Sequence, residues 1–131
     1  MDFLANDTFP GEVLPVLLGA GRSTRKISLH FFKKFGAISH VFCHRVPPTF
    51  HLSLFMKIHR VKNTHDDELL LQALCDFAKQ YEGRDILLCL FACNEETAHF
   101  VSLHRKELEP FYLFLDRRAI LRLCGREGVP A

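Results

Sequence analysis

The sequence predicts an α/β domain, a mostly parallel sheet with helices on both faces, and three observations carry that prediction. Continuous apolar runs of strand length, Val13 to Leu18 and Ile86 to Ala92, alternate with stretches whose apolar residues return every three or four positions. Turn and cap residues separate the two kinds of segment. At 131 residues and 48% hydrophobic, the chain is long enough for one compact core and too short for two comfortable ones.

The elements follow in order. Residues 1–12 mix polar groups with Pro10 and Gly11 and show no period, so they read as an N-terminal arm preceding a domain at 13–125. Val13 to Leu18 is a strand buried on both faces, ended by Gly19-Ala20-Gly21. Ser23 or Thr24 is expected to cap a helix with the stripe Ile27, Phe31 and Phe35, with Lys33 and Lys34 in its last turn and Gly36 as its stop. Ala37 to Phe42 reads as the second strand, which Pro47-Pro48 keeps from continuing. Lys57 to Val61 is a short third strand.

Thr64-His65-Asp66-Asp67 has capping-box spacing ahead of a helix with Leu70, Leu74, Phe77 and Tyr81 on one face and Gly83 as its stop. After the strong strand Ile86 to Ala92, Asn94 caps a helix with the stripe Ala98, Val101 and Leu108, running to Pro110. Glu95 and Glu96 suit the positive N-terminal end of that helix. Phe111 to Leu115 reads as the last strand, with Asp116 capping a short helix that ends near Gly125. This alternation implies right-handed crossovers between parallel strands.

Bulk composition narrows the function classes. A net charge of +2 is too small to argue for nucleic acid, yet residues 1–65 hold nine Lys/Arg against three Asp/Glu, and that local excess can favour an anionic ligand or simply solvate the surface. Thirteen Phe against two Tyr and no Trp must be buried or mark an interface. Five cysteines, several inside apolar runs, argue against a disulfide framework. No apolar run reaches the ~18 residues of a membrane span, and the chain is expected to be cytoplasmic with no membrane partner.

In such a sheet, ligands meet the loops beyond the carboxyl ends of the strands. Here these are Gly19-Ala20-Gly21-Arg22-Ser23-Thr24, Cys43-His44-Arg45 and Cys93-Asn94-Glu95-Glu96. The first has the context of an anion-binding turn, with Arg22 and Arg25 at hand, but lacks the third glycine of a dinucleotide fingerprint and the Gly-Lys-Ser/Thr of a P-loop. A tight turn with solvated arginines explains it equally. Gly19, Ala20, Gly21, Arg22, Asn94 and Glu95 are the candidate ligand-binding residues, although capping alone accounts for Asn94, Glu95 and Glu96.

Other chemistry finds weaker support. His40 and His44 lie four apart, with His59 and His65 nearby, but strand-end residues are not held together as helix neighbours are, so no metal site is expected. Cys89 and Cys93 do not form a Cys-x-x-Cys motif, and Cys43 beside His44 would point to the opposite face of a strand. No catalytic residue is therefore assigned.

Several segments together resemble the N-terminal, Rossmann-like domain that precedes the ATP-grasp module in ligases of the carbamoyl-phosphate-synthase and D-aspartate-ligase kind. They are Pro15-Val-Leu-Leu-Gly-Ala-Gly21, Phe31-Phe-Lys-Lys-Phe-Gly36, Ile38-Ser-His-Val41, Asp85-Ile-Leu-Leu-Cys-Leu-Phe-Ala-Cys-Asn94 and Lys106-Glu-Leu108. The resemblance covers residues 13 to 124 and implies a three-layer pre-ATP-grasp domain that packs against an ATP-grasp module and contributes substrate-side loops. ATP and magnesium would belong to that module, so no cofactor is expected in this chain. Residues 126–131 would then be a tail or the start of a linker.

Two departures stand out. Cys93-Asn94-Glu95 replaces the Gly-Asp often found in relatives, and the lysine common in the last helix is absent from Arg117 to Gly125. The resulting expectation is a non-catalytic domain of an ATP-dependent carboxylate–amine ligase, inactive alone, taking a small carboxylate or amino-acid substrate. Two other readings are a stand-alone regulatory or small-molecule-binding domain that dimerises through exposed Phe, and an enzyme using Cys43 or a histidine.

Overall fold

A computed structural model of the chain describes residues 12–62 and 66–124. Most of the expected arm, Thr64 and His65, the stop at Gly125 and the tail at 126–131 lie outside the described residues. The elements are β1 (Glu12–Leu18), α1 (Arg22–Phe35), β2 (Ser39–Cys43), a 3₁₀ turn (Pro48–Leu52), β3 (Met56–Arg60), α2 (Asp67–Lys79), β4 (Ile86–Ala92), α3 (Glu95–Leu103), α4 (Arg105–Leu108), β5 (Leu113–Phe114) and α5 (Arg117–Cys124). All strand pairs are parallel, in the order β3-β2-β1-β4-β5. The architecture is α/β and consistent with a three-layer Rossmann-like fold.

Successive residues of a strand face opposite sides of the sheet, so the unbroken apolar runs build two cores at once. Val13, Leu17, Cys89 and Phe91 meet Ile27 and Phe31 of α1 and Ile120 of α5 on one face. Val16, Leu18, Leu88 and Leu90 meet Leu70, Leu74 and Phe77 of α2, Phe100 of α3 and Leu108 of α4 on the other. Leu17, Phe31, Leu70 and Leu74 are completely buried, and truncating any of them to Ala is expected to cost about 2–5 kcal/mol. The buried Tyr112 hydroxyl is paired, donating to the Leu74 carbonyl at 2.6 Å, whereas the buried Ser39 hydroxyl has no partner among the described residues.

Several local expectations are corrected. Neither Ser23 nor Thr24 caps α1; the N-cap is Gly21, and Thr24 instead donates from its hydroxyl to the Gly19 carbonyl at 2.8 Å. Asp66, not Thr64, caps α2, accepting from the amides of Glu68 and Leu69. The buried stripe of α3 runs through Thr97 and Phe100 and leaves Ala98 exposed. A break at His104 separates α3 from α4. The last strand is two residues long, and Gly36 ends α1 in the left-handed conformation (φ +66°), as its position predicts. Among the described phenylalanines only Phe32 is exposed, so the described Phe chiefly build the two cores.

Candidate functional site

The strand order fixes where a crevice opens. From β1 the chain moves outward through β2 to β3, then α2 carries it back to β4 on the other side of β1. The helices that follow the neighbouring strands β1 and β4 consequently leave toward opposite faces, α1 onto one core and α3 onto the other. Their divergence opens a cleft of about 360 Å³ at the carboxyl ends of β1, β2 and β4.

The cleft is lined by Gly19 and Ala20 after β1, Cys43, His44 and Arg45 at the end of β2, and Asn94, Glu96 and Thr97 after β4. All three loops singled out by sequence therefore converge. Of the six candidate residues, Gly19, Ala20 and Asn94 line the cleft directly. Gly21 and Arg22 form the first turn of α1 behind them, and Glu96 takes the wall position expected of Glu95. Thr97 and His44 were not singled out as candidates. Thr97 belongs to a capping pattern, Asn94 followed three residues later by a hydroxyl, which is legible in retrospect.

Hydrogen bonds tie the loop after β1 to β2 and the loop after β4 to β1. The Gly19 amide donates to the Phe42 carbonyl at 2.9 Å, and the Cys93 amide donates to the Leu18 carbonyl at 2.8 Å. Thr97 donates its hydroxyl to the same Leu18 carbonyl at 3.3 Å. Gly19 has φ +94°, and a Cβ placed there would stand 2.5 Å from Asn94 Nδ2. Glycine is thus required twice over, for its backbone conformation and for the close approach of the asparagine amide.

The two helix N-termini at the cleft differ in their state. Asn94 accepts the Thr97 amide at 2.8 Å in a reciprocal capping box, and Glu95 and Glu96 add negative charge to the first turn of α3. The N-cap of α1 provides no side-chain bond, and its first turn holds no acid. Its leading amides, which follow the cleft-lining Gly19 and Ala20, are left without a side-chain cap.

The cysteines at this end are poor nucleophiles. Burial raises the Cys43 thiol against a smaller opposing effect of Arg60. It pushes Cys93 up to about 12, with the Thr24 hydroxyl opposing. Both remain protonated at neutral pH. His44 turns Nδ1 toward the Val61 carbonyl at 3.3 Å, rather than forming a dyad with Cys43.

His40 meets His59, while His44 turns to Val61. Nδ1 of His40 lies 2.8 Å from Nε2 of His59 on the adjacent strand, and both rings pack on Phe77. Desolvation, with help from His59 and Lys57, lowers His40 to about 4. Among the described residues, no group of three His, Cys, Asp or Glu is placed to hold a metal ion. No described helix is long and apolar enough to cross a membrane.

Comparison with known proteins finds no matching family model, no matching curated protein and no matching solved structure.

Proposed function

We propose that this chain is a non-catalytic domain of an ATP-dependent carboxylate–amine ligase, offering the switch-point cleft to a small carboxylate or amino-acid substrate while an ATP-grasp module supplies nucleotide and magnesium. The observation that carries the reading is the chemistry of the cleft wall. It combines Arg45 and the Gly19-Ala20 backbone, which leads into the uncapped N-terminus of α1, with a capped, amide- and hydroxyl-bearing loop. Such a wall recognises a carboxylate through backbone N–H groups and charge. Its thiols are held protonated by burial, which favours binding over nucleophilic catalysis. The sequence resemblance over residues 13 to 124 supplies the ligase context.

Calorimetric titration with magnesium-ATP, then with a panel of amino acids and small carboxylates, tests this directly. Weak, saturable carboxylate binding without ATP binding is the expected result. Clear ATP binding by the purified chain would replace the proposal with a self-sufficient nucleotide site at Gly19 to Thr24.

A further inference from the structure

A second concavity, of about 620 Å³, lies beside the edge strand β3, between it and the 3₁₀ turn. Its floor belongs to the α1-side core: Phe50 and Met56 are buried there, with Val46 and Ile58 packed against them. Arg45 and Arg60 stand at its rim, and both are exposed. Among the described residues no carboxylate lies within ion-pair distance of either guanidinium.

The sheet edge adds main-chain donors. Ser39 donates its amide to the Phe55 carbonyl, and Val61 donates its amide to the Cys43 carbonyl, at the two ends of the β2–β3 ladder. In a parallel ladder main-chain groups alternate in direction, so residues 55, 57, 59 and 61 turn theirs toward β2. Met56, Ile58 and Arg60 turn theirs outward, to the open edge that lines the groove. The site therefore offers an apolar floor, outward amides and two guanidinium groups, which together match an oxyanion carried on a compact apolar body. Arg45 lines both this groove and the switch-point cleft, so the two are neighbours around one side chain.

We propose that the β3 groove binds a small organic oxyanion, with Arg45 and Arg60 holding the charged group and Val46, Phe50, Met56 and Ile58 receiving the apolar part. This assignment does not depend on the ligase reading.

The test uses the full chain with methyl and amide NMR, titrated with phenyl phosphate and, separately, phenylacetate; benzyl alcohol and inorganic phosphate are the controls. Saturable shifts at Met56 and Ile58 by about 5 mM of at least one organic anion are expected, with both controls at least about tenfold weaker. Whichever anion binds more tightly identifies the charged group as phosphate or carboxylate. Arg45→Gln and Arg60→Gln, both exposed positions, should each weaken binding about tenfold. Asn94→Ala, which alters the cleft, should leave it within about twofold.

Absence of saturable shifts at Met56 and Ile58, or undiminished binding in the double arginine variant, would overturn the proposal. So would a loss in Asn94→Ala as large as in the arginine variants, because it would place the ligand in the cleft. Unchanged thermal melts of the arginine variants show that any loss is one of binding.

Discussion

The N-termini of α1 and α3 follow two loops that line one cleft, and they are finished in opposite ways. At α3, Asn94 and Thr97 satisfy one another and the backbone, and Glu95 and Glu96 complement the helix dipole. At α1, a glycine occupies the cap, acids are missing from the first turn, and the nearby hydroxyl of Thr24 bonds backward to Gly19 rather than to the open amides. An end that is already capped and acidic repels an anion, whereas an open end attracts one. The two ends are thus unequal in chemistry, and the proposed carboxylate site draws on the α1 end.

The contact between the ends offers the largest test. Gly19→Ala must accept both an unfavourable φ and a clash with the Asn94 amide, and is expected to lose about 2–4 kcal/mol in chemical denaturation. Combining it with Asn94→Ala removes the clash but not the backbone strain, so the double variant should be more stable than the sum of the single effects. Strict additivity would mean that the two loops are not in the contact described.

A pH titration separates an effect on the whole fold from one confined to the cleft. His40 titrates near 4 when folded, against about 6.5 unfolded, and His59 is also lowered. The unfolded chain therefore binds more protons between these values. Stability contributed by the neutral His40–His59 pair is present above about pH 6.5 and is lost as pH falls toward 4, by up to roughly 3 kcal/mol for His40. His40→Phe should flatten that part of the stability profile; an unchanged slope would assign acid sensitivity elsewhere.

Smaller effects sharpen the contrast between the caps. Asn94→Ala should lower stability by about 1 kcal/mol through loss of the capping box. Gly21→Asp has open space for a Cβ and an extended backbone conformation that any residue adopts. It should raise stability by about 0.3–1 kcal/mol while occupying the α1 terminus with its own carboxylate, thereby weakening carboxylate binding. Loss of stability with unaltered binding in Gly21→Asp would erase the proposed difference between the ends.

The fold was legible because its signals are local and redundant. Val13 to Leu18 and Ile86 to Ala92 are apolar at successive positions, and only a strand buried on both faces uses them all. Asn94 was also legible as a cap. The phase of α3 was not, because Thr97 is drawn inward by the Leu18 carbonyl, seventy-nine residues away, and this displaces Ala98 from the buried face.

The open cap of α1 was hidden for a similar reason, since Thr24 finds its partner in the preceding loop. Register concealed the rest. His40 stands opposite Lys57, which sets His59 on the diagonal, and the pairing becomes visible only once β2 and β3 are aligned. The convergence of Gly19, His44 and Asn94 depends likewise on the order of strands rather than on spacing in the chain.

Amide-resolved NMR of the labelled chain, titrated with small amino acids and then with magnesium-ATP, tests the central claim most directly. The account predicts saturable shifts at Gly21, Arg22 and Ser23 with a carboxylate ligand, little change at Glu95 and Glu96, and no saturation by ATP. Shifts centred on Glu95 and Glu96, or tight ATP binding at residues 19–24, would contradict it.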